Sequence, residues 1–307
     1  MSSTALTGIR LSPSEKKYVE DGIAHGVRRD GRGLRDLRHV NIKVGLLPQA
    51  NGSARVRSVF SSTDVICGVK FEVGPFEDNP IQCSVELGTL ARADLFGPVE
   101  AAKRAERRGV ELADALTKWL QGSFELAPLV KGKAQWITFV DCVVLGDGGN
   151  LQDVLSLASY CALRDARIPQ TIMNEDGTDF DIVADYGAAQ VLDHSTFALT
   201  TTSWFVCGQI LCDPTQEEEA CADCAVSVNV DRRGKLRSVS KSAGTGVVSS
   251  TNLMNAISAA VGNAKQLLRF VDAELDAEKS AYDSRIGRLE VQDPEAWNEV
   301  CLSSRLS

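Results

Sequence analysis

The sequence predicts an α+β fold in which short strands come in runs and helices pack against the sheets. Four strand-like segments with alternating apolar and polar residues precede a helical segment at 99–121. A longer strand, a helix that is apolar on nearly every side and a further set of strands follow. A long amphipathic helix at 251–280 ends the pattern, so the second part resembles a shorter version of the first. Runs of strands with helices on one face are typical of this fold class.

Regular structure is predicted to begin with a helix at 11–26, which a basic turn follows. Ser12 suits the N-cap, Pro13 the first turn and Glu15 the reciprocal position of a capping box. The turn at 27–38 holds five arginines within twelve residues. Because charge runs are usually solvated, we favour a solvated loop over an anchor for acidic groups.

The strands of the first half are predicted from period-two alternation, with Gly, Pro, Asn and Ser between them. We expect antiparallel pairing, and we expect the last strand to lead into the glycine-rich turn Gly146–Gly149. The predicted strands cover residues 41–48, 53–60, 63–73, 81–87 and 134–145.

The two helices of the first half differ in polarity. The helix at 99–121 has one apolar face and carries Arg104, Arg107 and Arg108 in its N-terminal half. The helix at 151–164 has so little polar face that we expect it in the core, with Asn150 as its N-cap. The apolar face of the first helix is predicted to comprise Val110, Leu112, Ala113, Leu116, Trp119 and Leu120.

The second half begins after an acidic, turn-rich stretch that suits a surface crossover. Strand patterning resumes at 196–214, a hairpin is predicted at 224–242, and Ser250 or Thr251 is expected to cap the last helix. The predicted organisation is an N-terminal helix and basic turn (1–35), a first domain (36–170), the crossover (171–195), a second domain (196–275) and a tail (276–307).

Composition and charge narrow the possible functions. Of 307 residues, 44% are hydrophobic and 24% charged, and no apolar run approaches the ~20 residues of a membrane span. We therefore expect a soluble intracellular protein. The net charge of −8 argues against a free-standing nucleic-acid binder, which usually carries a basic surface. The pair Cys221 and Cys224 has no second pair or suitable His nearby, so we interpret it as buried thiols.

Several motifs in the same order resemble those of the RNase PH family, in particular the ring subunits of RNA exosomes. The resemblance covers about residues 12–270. The segments that carry it are "RRDGRGLRDLR" (28–38), "NGSARV" (51–56), "STDVICGVK" (62–70), "ERRGVELADAL" (106–116), "DGGN" (147–150) and "LCDPTQEEEACADCAVSVNV" (211–230).

The resemblance implies a fold, partners and a location. The fold would be RNase PH-like, with two βαβ-type halves related to ribosomal protein S5 domain 2, an N-terminal helix and a long C-terminal helix. The partners would be other RNase PH-like subunits in a six-membered head-to-tail ring, S1/KH cap subunits and RNA threaded through the ring. The location would be the nucleus, nucleolus and cytoplasm, and the processes rRNA maturation and mRNA turnover.

The loop that holds phosphate in active members of the family departs from the pattern here. In those members a hydroxyl residue, an arginine and a second hydroxyl residue follow two glycines, and the arginine holds the attacking phosphate. Here Asn150, Leu151 and Gln152 follow Gly148 and Gly149. Leucine lacks the charge and the paired donors of a guanidinium, so any backbone N–H groups that remain would make a weak site.

The second motif has also lost a chemical group. Two acidic positions six residues apart in active members correspond to Glu219 and Ala225, and alanine can neither bind a metal nor relay a proton. The run Glu217-Glu218-Glu219 could bind Mg²⁺, but a cap or an ion-pair network with a partner's arginines is the commoner cause of clustered acids. We therefore expect no metal and no cofactor.

Arg104, Arg107 and Arg108 correspond to the arginines that reach the RNA backbone in the family. Their retention without the phosphate loop fits RNA guidance without chemistry. A solvated helix face with Glu106 and Glu111 explains them equally well, and both interpretations stay open.

The sequence therefore predicts a non-catalytic ring subunit that supports 3′–5′ RNA processing and decay. One alternative is an active phosphate-dependent 3′–5′ exoribonuclease, if Lys131 or Lys133 replaces the lost arginine. Another is a small-molecule phosphotransferase using Gly146–Gly149 and Asp147, although no Walker-type lysine follows the turn.

Overall fold

The protein, represented by a computed structural model, folds into two main sheets with helices between and over them. In the part of the chain that is described, there are five helices and thirteen strands. The described residues are 9, 11–59, 61–88, 98–124, 126, 128–130, 132–174, 176, 179–183 and 189–292, without the side chains of 98–100 and 278–292.

The first sheet has five strands in the order β1-β2-β3-β5-β4. All neighbours are antiparallel except β4 and β5, which are parallel. Antiparallel pairing was therefore the wrong expectation for β4, because parallel neighbours need a crossover and helix α2 provides it. The strands are β1 (Val40–Val44), β2 (Gly52–Ser58), β3 (Asp64–Pro75), β4 (Ile81–Leu87) and β5 (Ala134–Gly146).

The second sheet has four strands in the order β11-β10-β12-β13 and is antiparallel throughout. In this half β11 and β12 lie on either side of β10, and the short helix α4 connects them. The strands are β10 (Ala198–Val206), β11 (Gln209–Cys212), β12 (Cys224–Asp231) and β13 (Leu236–Gly244).

Two small two-stranded sheets lie in the crossover between the halves. Strand β6 pairs with β9, and β7 pairs with β8. Their ranges are β6 (Arg167–Ile168), β7 (Thr171–Met173), β8 (Phe180–Ile182) and β9 (Gln190–Val191).

Four of the five described helices are close to the predicted positions, with one marked difference in length, and the short helix α4 was not predicted. The last helix extends to Gln292, through the first part of the predicted tail, and its first turn is capped by the Ser249 hydroxyl, which accepts from Asn252 N at 3.2 Å. The helices are α1 (Pro13–Ala24), α2 (Pro98–Leu120), α3 (Leu151–Asp165), α4 (Gln216–Ala220) and α5 (Ser250–Gln292). No helix in the described part of the chain is both long and apolar enough to span a bilayer.

Helix α3 lies between the two main sheets, as its apolar sequence predicts. It packs against β2 and β3 on one side and against β10 on the other. Twelve of its fifteen residues are buried, including Leu151 at 2% exposure and Leu155 at 0%. The largest core cluster therefore contains residues of both halves, while two smaller clusters lie beside α5 and α1.

Helix α2 packs on β4 along a stripe that differs from the predicted face. Leu112 and Leu116 are buried as expected, but Val110 is 57% exposed. The stripe passes instead through Gly109, where an added Cβ would lie 2.5 Å from the Val85 carbonyl oxygen. Glycine thus permits a close approach of helix and strand, and Val110 points away from it.

Helix α1 begins with the predicted capping box. The Ser12 hydroxyl accepts from Glu15 N, and the Glu15 carboxylate accepts from Ser12 N at 2.8 Å. Ile23 then packs in a small core beside Trp204 and Ala225 of the second sheet. The N-terminal segment is therefore docked on the second half.

Candidate functional site

The glycine-rich turn joins β5 to α3 where the first half of the chain (36–170) meets the second half (196–275). We call this boundary the seam. Gly149 has φ +95°, and Asn150 also lies in the left-handed region with φ +55°. A Cβ on Gly149 would lie 2.6 Å from the Pro214 carbonyl oxygen and from Gln216 N. The second half therefore sits directly on this turn and leaves no room for a side chain there.

The N–H groups of the turn already have acceptors within the chain. Gly148 N donates to Thr63 Oγ1 at 2.9 Å, and Gly149 N donates to Asp147 Oδ1 at 3.0 Å. Asn150 N donates to Glu219 Oε1 at 2.6 Å. A helix N-terminus with free N–H groups attracts anions. Here the Glu219 carboxyl group fills that position, so the sequence-based expectation of remaining N–H donors is wrong for these three groups.

The two residues after Asn150 do not form an anion site. Leu151 is buried in the main core, where a leucine side chain contributes packing and no donor. The Gln152 amide oxygen accepts from Ser227 Oγ at 3.3 Å, which ties the turn to β12. Ala225 lies two residues before Ser227, on the same face of that strand. The loop and the degenerate acidic motif therefore meet across the seam.

Asn150 stands at the N-cap position, but its side chain does not cap α3. Its Nδ2 group donates to Asp153 Oδ2 at 3.1 Å and to Asp213 Oδ1 at 2.9 Å. The expected capping role was therefore wrong. The amide instead bridges two buried carboxylates, one from each half.

Burial raises the pKa of two carboxyl groups at the seam, Glu219 and Asp153. Burial, followed by the charge of Asp147, raises the pKa of Glu219 to about 8. Burial also raises the pKa of Asp153 to about 6, although hydrogen bonds from Thr202 and Asn150 oppose the rise. A carboxyl group with a raised pKa can be neutral near physiological pH and still accept an N–H bond.

Arg38 forms the centre of the seam. Its guanidinium pairs with Asp213 and also donates to the carbonyl oxygens of Gly148 at 3.1 Å, Gly149 at 3.0 Å and Pro214 at 3.2 Å. Burial would raise the pKa of Asp213, but the bonds and charge of Arg38 lower it below its usual value. One arginine therefore binds the glycine turn and the start of the second motif together.

The basic turn before Arg38 anchors acidic groups, contrary to the favoured interpretation. Arg28 is 3% exposed and donates to both carboxylate oxygens of Glu218, at 3.0 and 2.7 Å. Arg32 donates to Asp213 Oδ2 at 3.2 Å. The solvated-loop expectation failed because residues about 180 positions away in sequence supply the acidic partners.

The acidic run forms helix α4, where each carboxylate has a separate contact. Glu217 pairs with Arg29 at 2.7 Å near the surface, and Glu218 pairs with the buried Arg28. Glu218 also closes a capping box with Thr215. The predicted ion-pair network is thus present, with arginines of the same chain.

The three arginines of α2 have different surroundings. Arg104 and Arg107 are exposed, and Arg107 lies 4.0 Å from Glu111 in an exposed i,i+4 pair. Arg108 Nη1 lies 2.9 Å from Asp147 Oδ2, whose side chain is 1% exposed. Arg108 therefore supports the glycine turn, while the side chains of Arg104 and Arg107 are exposed on the surface of the helix.

The remaining candidate groups lie apart from the seam. Cys221 packs beside α1, whereas Cys224 packs beside α5, and burial raises the pKa of the Cys221 thiol to about 11. In the regions described, no group of three His, Cys, Asp or Glu residues could hold a metal ion. Lys133 is exposed, and Lys131 lies outside the described residues.

Sequence reasoning missed four residues that build the seam. A carboxylate inside an almost wholly apolar helix is the signal that could have identified Asp153, because a buried charge requires partners. The others carry no local signal, since their partners are distant in sequence. The four are Arg38, Thr63, Asp153 and Asp213.

Comparison with known proteins identifies the family. The first domain of the RNase PH 3′ exoribonuclease family matches residues 36–169, and the second domain matches residues 196–263. The chain belongs to the RNase PH family. The RNase PH-like α+β fold predicted from the sequence is confirmed.

Curated RNase PH relatives similar to this chain include archaeal proteins named exosome complex component Rrp42. The Methanothermobacter thermautotrophicus protein is 30% identical over 265 residues, which cover 85% of this chain and 95% of the relative. The Thermococcus onnurineus protein is 32% identical over 265 residues, which cover 83% and 93%.

Solved RNase PH structures share the same architecture. An archaeal exosome core chain superposes with a TM-score of 0.66 at 24% identity, covering 84% of this chain and 96% of that chain. A chain of the Archaeoglobus fulgidus exosome with RNA bound to its active site gives 0.65 at 26% identity, covering 83% and 96%. Rice Rrp46 gives 0.56 at 18% identity, covering 81% and 100%, and shares the fold.

Proposed function

We propose that this chain is an exosome ring subunit of the Rrp42 type that has no phosphorolytic activity of its own. The observation that carries the proposal is the occupied helix N-terminus, where the Glu219 carboxyl group accepts the Asn150 N–H at 2.6 Å. A phosphate ion would have to displace a buried side chain to bind there. The position of the family's phosphate-binding arginine is held by Leu151, which is part of the core.

The retained contacts support an architectural role. Arg38 and Arg28 use their donors on groups of the chain itself. Arg38 holds the two halves together, Arg28 holds the N-terminal segment to α4, and neither is open to a substrate phosphate. The similarity to archaeal Rrp42 proteins over more than four fifths of the chain supports assembly in the same kind of ring.

The partners are other RNase PH-like subunits in a head-to-tail hetero-oligomeric ring, S1/KH cap subunits and RNA that passes through the ring. Arg104 and Arg107 are exposed on α2 and are the residues of this helix that are placed to contact the RNA backbone. The ring acts in 3′–5′ RNA processing and decay, including rRNA maturation and mRNA turnover, in the nucleus, nucleolus and cytoplasm.

A phosphorolysis assay tests the absence of chemistry. The purified chain, incubated with inorganic phosphate and a 3′-tailed RNA, is expected to release no nucleoside diphosphate. Phosphate-dependent release that disappears in Glu219→Ala but persists in Glu217→Ala would establish the alternative, an active exoribonuclease. The two variants form a matched pair because both residues lie in α4 and only Glu219 contacts the glycine turn.

Affinity purification tests the assembly. The full chain is expected to co-purify with other RNase PH-like chains in equal amounts. A monodisperse monomer that does not bind such chains when they are mixed with it would refute the ring assignment, whatever the outcome of the phosphorolysis assay.

A further inference from the structure

The outer strand of the second sheet, β13, is a free edge with unusual exposure. Its neighbour on one side is β12, and no described strand pairs with its other side. The six side chains from Leu236 to Lys241 are all exposed, although they point alternately to the two faces of the sheet. A nine-residue strand of this kind presents a row of backbone donors and acceptors to another chain.

Helix α5 does not cover the apolar residues of β13. Val239 pairs with Val228 and Leu236 pairs with Val230, so each shares a face with its buried neighbour. A register shift between Asn229 and Val230 interrupts the alternation, so Leu236 and Val239 lie on the same face. Helix α5 covers β12 and β10 on that face. Val239 and Leu236 nevertheless remain 38% and 42% exposed, so a strip of apolar surface beside α5 is left uncovered.

The charge of this edge is opposite to that of the chain as a whole. Residues 232–250 contain five basic and no acidic residues, whereas the net charge of the chain is −8. Arg232 pairs with Asp272 and Arg237 pairs with Asp231. The other three basic residues are Arg233, Lys235 and Lys241. None of them has a carboxylate within 4 Å in the described part of the chain.

We propose that β13 binds an acidic extended segment of another protein, which adds to the second sheet as a fifth strand. The backbone edge supplies the hydrogen bonds, the uncovered Leu236 and Val239 accept apolar side chains, and the unpaired cations select acidic ones. Basic residues on an edge also prevent pairing with neutral or basic strands, so the same charges serve specificity.

The probe is a fluorescent nine-residue peptide of alternating Glu and Val, titrated into the purified full chain by fluorescence anisotropy. Binding is expected, together with slower hydrogen exchange of the β13 amides. A peptide with Lys in place of Glu should not bind. A peptide N-methylated at alternate residues keeps its charge but loses the N–H groups that face β13, and it should not bind either.

Paired chain variants test the position. Lys235→Glu with Lys241→Glu is expected to weaken peptide binding about tenfold or more, because exposed charge pairs are each worth a fraction of a kcal/mol and reversal adds repulsion. Lys43→Glu with Lys118→Glu makes the same change in net charge on the first half and should leave binding unchanged.

Three results would overturn the proposal. Equal binding of the N-methylated peptide would show charge attraction without strand addition. Tighter binding of a charge-matched polyuridylate, lost in the Lys235→Glu and Lys241→Glu variant, would show an RNA surface instead. No binding of the acidic peptide would mean that the basic residues only protect the edge.

Discussion

Replacing Glu219 by glutamine should stabilise the protein above neutral pH, although it removes a charged group from a hydrogen-bond network. Glutamine keeps the oxygen that accepts the Asn150 N–H and cannot ionise. Burial and the nearby Asp147 charge raise the pKa of Glu219 from 4.5 to about 8. The native state therefore holds the Glu219 proton in a pH range where the unfolded chain has released it.

The sign and size of the effect on the free energy of unfolding follow from the difference between the native and unfolded pKa values of Glu219. Since the native state binds more protons between pH 4.5 and about 8, the contribution of Glu219 to stability falls as pH rises through that window. One pKa unit corresponds to about 1.4 kcal/mol, so roughly 5 kcal/mol is the upper limit of this loss. Because measurements at pH 5.5 and 8.5 sample only the upper part of this window, we expect a change of about 1–3 kcal/mol.

Urea unfolding at pH 5.5 and 8.5 measures the effect. The difference in free energy of unfolding, Glu219→Gln minus wild type, should be about 1–3 kcal/mol larger at pH 8.5 than at pH 5.5. Glu217→Gln is the control, because it makes the same substitution in α4 and its pair with Arg29 lies at the surface, where ion pairs contribute little to stability. A Glu219→Gln variant that is equally destabilised at both pH values would show that Glu219 is ionised throughout, and would refute the reasoning.

Three further substitutions separate structure from chemistry at the seam. Arg38→Ala should lower the free energy of unfolding by about 2–4 kcal/mol in urea, since it removes the closest cation from the buried Asp213 and leaves only Arg32 to pair with it, whereas the exposed Arg35→Ala should change it by less than about 0.5 kcal/mol. Leu151→Arg should restore no nucleoside diphosphate release and should lower the thermal midpoint, because the charge would enter the core; restored phosphorolysis would contradict the occupied-site interpretation. Arg108→Ala should destabilise by about 1–3 kcal/mol and Arg107→Ala by less than about 0.5 kcal/mol, and equal effects in thermal unfolding would contradict the assigned role of the Asp147 contact.

The sequence was informative wherever a local pattern decides the structure. The capping box at Ser12, the buried helix α3 and the hairpin of β12 and β13 all depend on residues close together in the chain. That Leu151 stands at the position of the family's phosphate-binding arginine is likewise inferred from a short motif, and it stays a prediction.

The electrostatic partners at the seam could not be predicted in the same way. From the sequence alone, Arg28 cannot be distinguished from a solvated loop residue, because its partner Glu218 is brought to it only by the fold. The contact between Glu219 and Asn150 likewise joins two residues that are 69 positions apart. The direction of β4 was missed for a related reason, because strand alternation is the same in parallel and antiparallel pairs.

The position of α3 between the sheets has a consequence for synthesis on the ribosome. When the first half emerges, α3 can pack on β2 and β3, but its opposite side lacks β10 until residues 198–206 leave the exit tunnel. The ion pair between Arg38 and Asp213 forms later still, because Asp213 is synthesised 175 residues after Arg38. At about 5–20 residues per second, the nascent chain exposes the apolar surface of α3 for about 2–8 s and leaves Arg38 without Asp213 for about 9–35 s. That interval is when chaperones would be expected to bind the chain and when aggregation competes most strongly with folding.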